Sequence, residues 1–127
     1  MWFSLQPVTL DYAAQAPFHF LNQAELPAPP ERVFAVLAND ATWPAWFKDF
    51  VSCTWTSAPP HGVGATRDVV LKALSVKETF LAWDPGQRYA FRIDAMSVPL
   101  VTAMLEVLTL TPLPGARTLL PDFDSSS

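Results

Sequence analysis

Apolar positions along this chain change period twice. In "FHFLNQAEL" (residues 18–26), Phe18, Phe20, Asn22, Ala24 and Leu26 share one face. His19, Leu21, Gln23 and Glu25 share the other, so the stretch predicts a strand with one dry side. "PAPPERVFAVLAND" (27–40) then shifts to helical spacing, with Val33, Val36 and Leu37 recurring and Phe34 beside Leu37. Pro30 suits the first helical position, where the missing N–H costs nothing. Glu31 opposes the helix dipole in the first turn. Asn39 is expected to stop the helix in a left-handed conformation. Asp40 is expected to cap a second, very short helix with Pro44 in its first turn, projecting Trp43, Trp46 and Phe47.

From residue 50 onward the pattern alternates. "FVSCTWTS" puts Val51, Cys53 and Trp55 on one side, and "APPHGVG" is a loop. "ATRDVVLKALSVKETFLAWD" reads as a hairpin turning at Ala73-Leu74, which pairs Lys72 with Ser75 and Val69 with Glu78. "DPGQ" is a turn with proline at its second position. "RYAFRIDA" carries Tyr89, Phe91 and Ile93 on one face; "AMLEVLTLTP" is another strand and "PLPGA" another turn. "RTLL" starts a last strand that Pro121 is expected to end, leaving 122–127 as a polar tail. Residues 1–16 lack a clean period, so they are either a flexible lead-in or a segment packed on the body. No internal repeat or domain boundary is visible. The order of one strand, two short helices and a run of antiparallel strands predicts an α+β fold, with the helices at one side of a curved sheet.

Composition narrows the function classes. The 127 residues suit one domain, with 17–121 as its extent, and 50% hydrophobic content with 16% charged residues argues against disorder. The formal charge of -4 and the absence of a lysine or arginine cluster disfavour nucleic acid as a partner. Cys53 is the only cysteine, which removes any internal disulfide. The opening residues do not read as a signal peptide, and no stretch reaches the roughly 18 apolar residues of a membrane span. A cytoplasmic location is the default expectation.

Several residues could carry chemistry, and each has a structural alternative. Trp43, Trp46, Phe47 and Phe50 either pin the short helices to the sheet or form the rim of an apolar pocket. Arg67 falls diagonally from Glu78 on one hairpin face, together with Phe80. That pair is either a structural ion pair or a polar group inside a pocket, where desolvation would raise the carboxyl pKa for general acid–base work. Glu106 alternates with Met104 and Leu108. It belongs at a sheet margin, beside an arginine such as Arg92 or Arg67, or in the same pocket. Cys53 suits an apolar core position, and His61 a solvated loop. With only His19 added, these residues supply neither a metal site nor a demonstrable Cys–His pair. "GVG" between strands serves turn geometry and precedes no phosphate-cradling helix.

"LPAPPERVFAVLANDATWPAWFKDF", "GVGATRDV", "KETFLAWDPGQRYAFRI" and "PLPGARTLL" follow the order seen in the START-like (SRPBCC) superfamily. Over roughly Phe18 to Leu120 the chain resembles its polyketide cyclase/dehydrase and lipid-transport branch. The resemblance implies a helix-grip fold: a bent antiparallel sheet around a long C-terminal helix, with an apolar cavity between them. It also implies binding of lipids, polyketides or other hydrophobic molecules, and in a minority of members cyclisation or dehydration. After "GARTLL" no amphipathic segment remains, so the long helix is expected to be missing or replaced. Trp2, Phe3, Leu5 and Val8, or a partner chain, are candidates to cover the gap.

Three functions follow as expectations. The first is binding or carriage of an apolar molecule with one polar group, by Trp43, Trp46, Phe47, Phe50, Trp55, Arg67, Glu78, Phe80, Phe91, Met104 and Leu108. The second is a cyclase- or dehydratase-like enzyme with Glu78 or Glu106 as the proton-transfer group. The third is an incomplete domain that forms homo-oligomers through an uncovered sheet face. No cofactor or metal is implied.

Overall fold

A computed structural model describes the backbone of residues 1–14, 19–20, 24–45 and 47–126, and their side chains except those of 13, 19–20, 24 and 119–126. Among the described residues nine strands form one antiparallel sheet: β1 (Phe3–Ser4), β2 (His19–Phe20), β3 (Ala24–Leu26), β4 (Phe50–Trp55), β5 (Thr66–Leu71), β6 (Ser75–Asp84), β7 (Arg88–Met96), β8 (Leu105–Leu113) and β9 (Arg117–Ser126). Its order is β2-β9-β8-β7-β6-β5-β4, with β3 beside β9 and β1 beside β7. Between β3 and β4 lie helix α1 (Pro30–Ala38) and a short 3₁₀-helix (Asp40–Ala45). The α+β order read from the sequence therefore holds, as a curved sheet with two short helices on one side.

Helix α1 starts as its sequence dictates, with Pro30 at its first position and Glu31 in the first turn. It ends differently from expectation. Asn39 is extended, with φ −102 and ψ 98, and its amide closes on the Ala35 and Val36 carbonyls. Its side-chain oxygen accepts from the Ala41 amide at 3.1 Å, so Asn39, not Asp40, caps the 3₁₀-helix. Asp40 is thereby freed to accept from Trp55 Nε1 at 3.0 Å, tying this helix to β4. Pro44 is the fifth of the helix's six residues, later than the first turn expected.

Within the predicted first strand the described residues form β2 and β3, which both pair with β9, and 21–23 lie outside the described residues. Three strand details differ from expectation. The β5–β6 ladder pairs Val70 with Ser75 and Val69 with Val76, which sets Arg67 directly opposite Glu78 instead of diagonal to it. The hairpin therefore turns at Lys72-Ala73, one residue earlier than expected, where the Leu71 amide donates to Leu74 O at 2.8 Å, and β4 holds β5 as far as Leu71, opposite Phe50. A bulge between Phe50 and Ser52 turns Val51 outward, 55% exposed, and off the Cys53 and Trp55 row. Strand β9 passes through Pro121 to Ser126 and does not stop there. Thr109 pairs with Asp122 and Thr111 with Leu119, so Pro121 falls in a register shift, where a strand tolerates the missing N–H.

The first residues pack on the body. β1 continues the sheet beside the end of β7, pairing Phe3 with Met96. Leu5 is buried and donates its amide to Asp94 O, and a 3₁₀-helix at Leu10–Ala14 follows. At the other end of the sheet, α1 lies over an aromatic core. Phe34 meets Trp83 and Tyr89 edge-to-face at 5.7 and 5.9 Å, and Phe80, fully buried, touches Trp55, Trp83, Tyr89 and Phe91.

Candidate functional site

Beyond that aromatic core the same sheet face opens into a cavity of about 360 Å³. Its walls come from β5–β8, α1 and the residues after it. The volume lies within the roughly 300–1,000 Å³ of small-molecule sites. Alternation along the strands places the side chains: Arg67, Val69 and Leu71 from β5; Val76 and Glu78 from β6; Tyr89, Phe91 and Ile93 from β7; Glu106 and Leu108 from β8. Met104 precedes β8, and Trp43 and Phe47 come from the helical segment.

Seven residues marked from the sequence thus meet at the cavity: Trp43, Phe47, Arg67, Glu78, Phe91, Met104 and Leu108, with Glu106 beside them. Trp55 and Phe80 are drawn into the aromatic core instead. Phe50 packs on Trp43 at 5.4 Å, behind the lining. Trp46 lies outside the described residues. Leu37, Val69, Leu71, Leu74, Val76, Tyr89, Ile93 and Met96 also line the wall but were not marked as site residues. For Tyr89 and Ile93 the signal was present, since they share a row with Phe91. For Leu71 and Leu74 it was not, because they flank a turn whose register pattern alone does not fix. Rings mostly fill space here, while aliphatic side chains bound most of the opening.

The polar part of the wall centres on Arg67. Its Nε donates to Glu78 Oε1 at 2.5 Å, and Arg67 is only 1% exposed. Four ring centroids surround the guanidinium: Trp43 at 4.6, Phe80 at 4.7, Phe91 at 5.2 and Trp55 at 5.3 Å. Burial pushes the Glu78 carboxyl above the usual carboxylate range, and Arg67 offsets only part of that. Burial alone would lower Arg67, but the charge and hydrogen bond of Glu78, together with Tyr89 and Cys53, outweigh it and raise the guanidinium above its ordinary value. The Tyr89 phenol is likewise pushed up, by burial first, against the pull of Arg67. Trp43 is held by its own Nε1, which donates to Leu37 O at 3.1 Å, and by Phe47 at 6.3 Å. The aromatic cluster after α1 therefore both pins the helical segment and supplies one cavity wall.

The other polar candidates stand apart. Cys53 is half-buried on β4, and burial raises its thiol to about 11, far from a reactive thiolate at neutral pH. His61 stacks on Trp55, ring centroids 3.7 Å apart, and is not solvated as the loop composition suggested. Among the described residues no group of His, Cys, Asp and Glu could hold a metal ion, and no helix is long and apolar enough to cross a membrane.

Residues 17–121 match the family model for polyketide cyclase / dehydrase and lipid transport. This chain belongs to that family. An uncharacterized protein of Mycobacterium tuberculosis is 38% identical over 109 residues, covering 85% of this chain. The chain spans 65% of that relative's length. Among solved structures, the Zhui aromatase/cyclase from Streptomyces superposes with a TM-score of 0.72 at 17% identity, covering 87% of this chain and 67% of that one. A START superfamily protein from Mycobacterium smegmatis gives 0.71 at 11% identity, covering 85% and 74%. At these identities the superpositions establish the START-like fold, and fold leaves activity open.

Proposed function

We propose that this family member binds a small hydrophobic molecule in the sheet cavity. The observation that carries the reading is the cavity itself: about 360 Å³, mostly aliphatic and aromatic, with Arg67, Glu78 and Glu106 as the charged residues of its described lining. Trp43, Phe47, Phe91, Met104 and Leu108 would supply burial, and Arg67 held by Glu78 would orient the polar end. The family, which by its description spans cyclases, dehydrases and lipid transport, supports the ligand class.

Catalysis is the second reading, with Glu78 or Glu106, both in the lining, as the proton-transfer group. The bond from Arg67 to Glu78 weighs against Glu78 in that role. Native mass spectrometry of the purified protein separates occupancy from emptiness. The binding reading predicts a co-purified apolar molecule, or stoichiometric uptake of the neutral dye Nile red that a cavity-filling Val76→Trp abolishes. A protein that stays empty against lipid, aromatic and dye panels overturns it.

A further inference from the structure

The three lysines of this chain, Lys48, Lys72 and Lys77, gather at one end of the sheet. The Lys72 amide donates to Asp49 O at 2.9 Å, which sets Lys48 and the start of β4 beside the β5–β6 turn. The Ser75 amide donates to Ser97 Oγ at 2.9 Å, so the segment between β7 and β8 reaches the same end. Strand β1 arrives there too, with Phe3 opposite Met96, and Lys77 Nζ lies 4.3 Å from the centre of the Trp2 ring.

Large apolar side chains stand exposed among these lysines. Six are exposed among the described residues, and four of them, Met1, Trp2, Val51 and Leu100, belong to this end. Leu100 is 67% exposed on a surface groove that Phe3 and Leu5 also line. Exposed apolar groups that cluster within a charged rim mark interaction sites.

The charges point to the partner. Asp68 binds Lys77 at 3.0 Å, Asp49 stands exposed beside Lys48, and Arg92 neutralises Asp94 farther along β7. Lys48 and Lys72 enter no ion pair among the described residues. Three lysines against Asp49 and Asp68 leave this end with one net positive charge, in a chain whose net charge is -4. That attraction is modest, so the apolar groups must add to it. A second copy docked by the same face would bring the lysines towards one another, and lysine is depleted in protein interfaces. A bilayer instead takes lysines at its headgroups and tryptophan and leucine beneath them.

We propose that this end of the sheet docks on an anionic lipid bilayer, with Trp2 and Leu100 entering the interface and Lys48 and Lys72 meeting lipid phosphates. None of these side chains lines the cavity, so the inference stands whatever the cavity holds. Flotation of the full chain tests it, with vesicles of phosphatidylcholine or of an equal mixture of phosphatidylcholine and phosphatidylglycerol. The chain is expected to float with the mixed vesicles, far less with phosphatidylcholine alone, and less as salt rises. Lys48→Glu with Lys72→Glu is expected to weaken binding at least about tenfold. Leu100→Ser is expected to weaken it at least about threefold, through lost apolar contact. Arg32→Glu with Arg88→Glu makes the same charge change near the β6–β7 turn, at the other end of the sheet, and is expected to weaken it far less.

No flotation with either vesicle overturns the proposal, and so does equal flotation with both. Equal losses from the two charge-reversal pairs overturn the assigned surface. A lipid-free dimer that Leu100→Ser dissolves, read by light scattering, gives this face to a second copy and also overturns it. The dependence on lipid and salt is read on the wild-type chain, so no variant has to fold for the proposal to fail.

Discussion

Arg67 and Glu78 are each other's condition for being buried. Replacing Arg67 by Met leaves an acid inside the sheet without its partner, a change that should cost about 3–5 kcal/mol. Arg67→Met with Glu78→Leu should cost much less than Arg67→Met alone, because the orphaned charge is gone. Urea unfolding of the two variants checks this, and equal losses would show that the ion pair is not coupled. Glu78 also predicts a pH dependence. Its carboxyl titrates higher in the folded chain than in the unfolded one. The folded state therefore holds the proton more tightly through that interval. The contribution of Glu78 to stability is greatest below its unfolded pKa and is lost as pH rises through its folded pKa. The stability difference between wild type and Glu78→Gln should shift in that direction across the acid range, and a flat difference would contradict the assigned cause.

At the scale of elements, period was more legible than register. Alternation put Arg67 and Glu78 on one face, and a ladder slipped by two residues kept them there, since side chains repeat every second position. The same rule gave the Tyr89, Phe91 and Ile93 row. Bulges are not legible: the one beside Phe50 sends Val51 outward, and Pro121 looks like a stop in the sequence because its register shift depends on β8, some ten residues before it across a turn. Turn chemistry was readable where proline and glycine punctuate the chain. In Asp84-Pro85-Gly86-Gln87 the Gln87 amide closes on Asp84 O at 2.9 Å, and Gly86 adopts φ +75. A Cβ there would adopt a disfavoured left-handed conformation and lie 3.4 Å from Glu31 Cγ. Gly86→Ala should therefore destabilise by about 1–2 kcal/mol, read from the thermal or urea midpoint. An unchanged midpoint would mean that the turn yields.

For the whole molecule, the separation of core from cavity was the least legible feature. The sequence is rich in rings, and rings were expected to wall the pocket. Instead Phe34, Trp55, Phe80 and Trp83 satisfy one another under α1, and a largely aliphatic opening lies beyond Arg67. Which apolar side chains meet and which leave space depends on sheet curvature and helix placement, and neither is written in local periodicity. Residues 1–14 were ambiguous for a related reason. Leu5 is buried with its amide on Asp94 O of β7, and the Gln6 amide donates to Thr102 O before β8, both about ninety residues away in the chain. None of these first residues lines the cavity.

Methyl NMR on the full chain, with and without saturating Nile red, addresses the hollow interior most directly. If the space under the sheet is a binding site, the methyls of Val69, Val76, Ile93, Met96, Met104 and Leu108 shift together, while those of surface Val51 and Val63 stay in place. Shifts confined to the surface valines, or no shifts at all, would contradict the account.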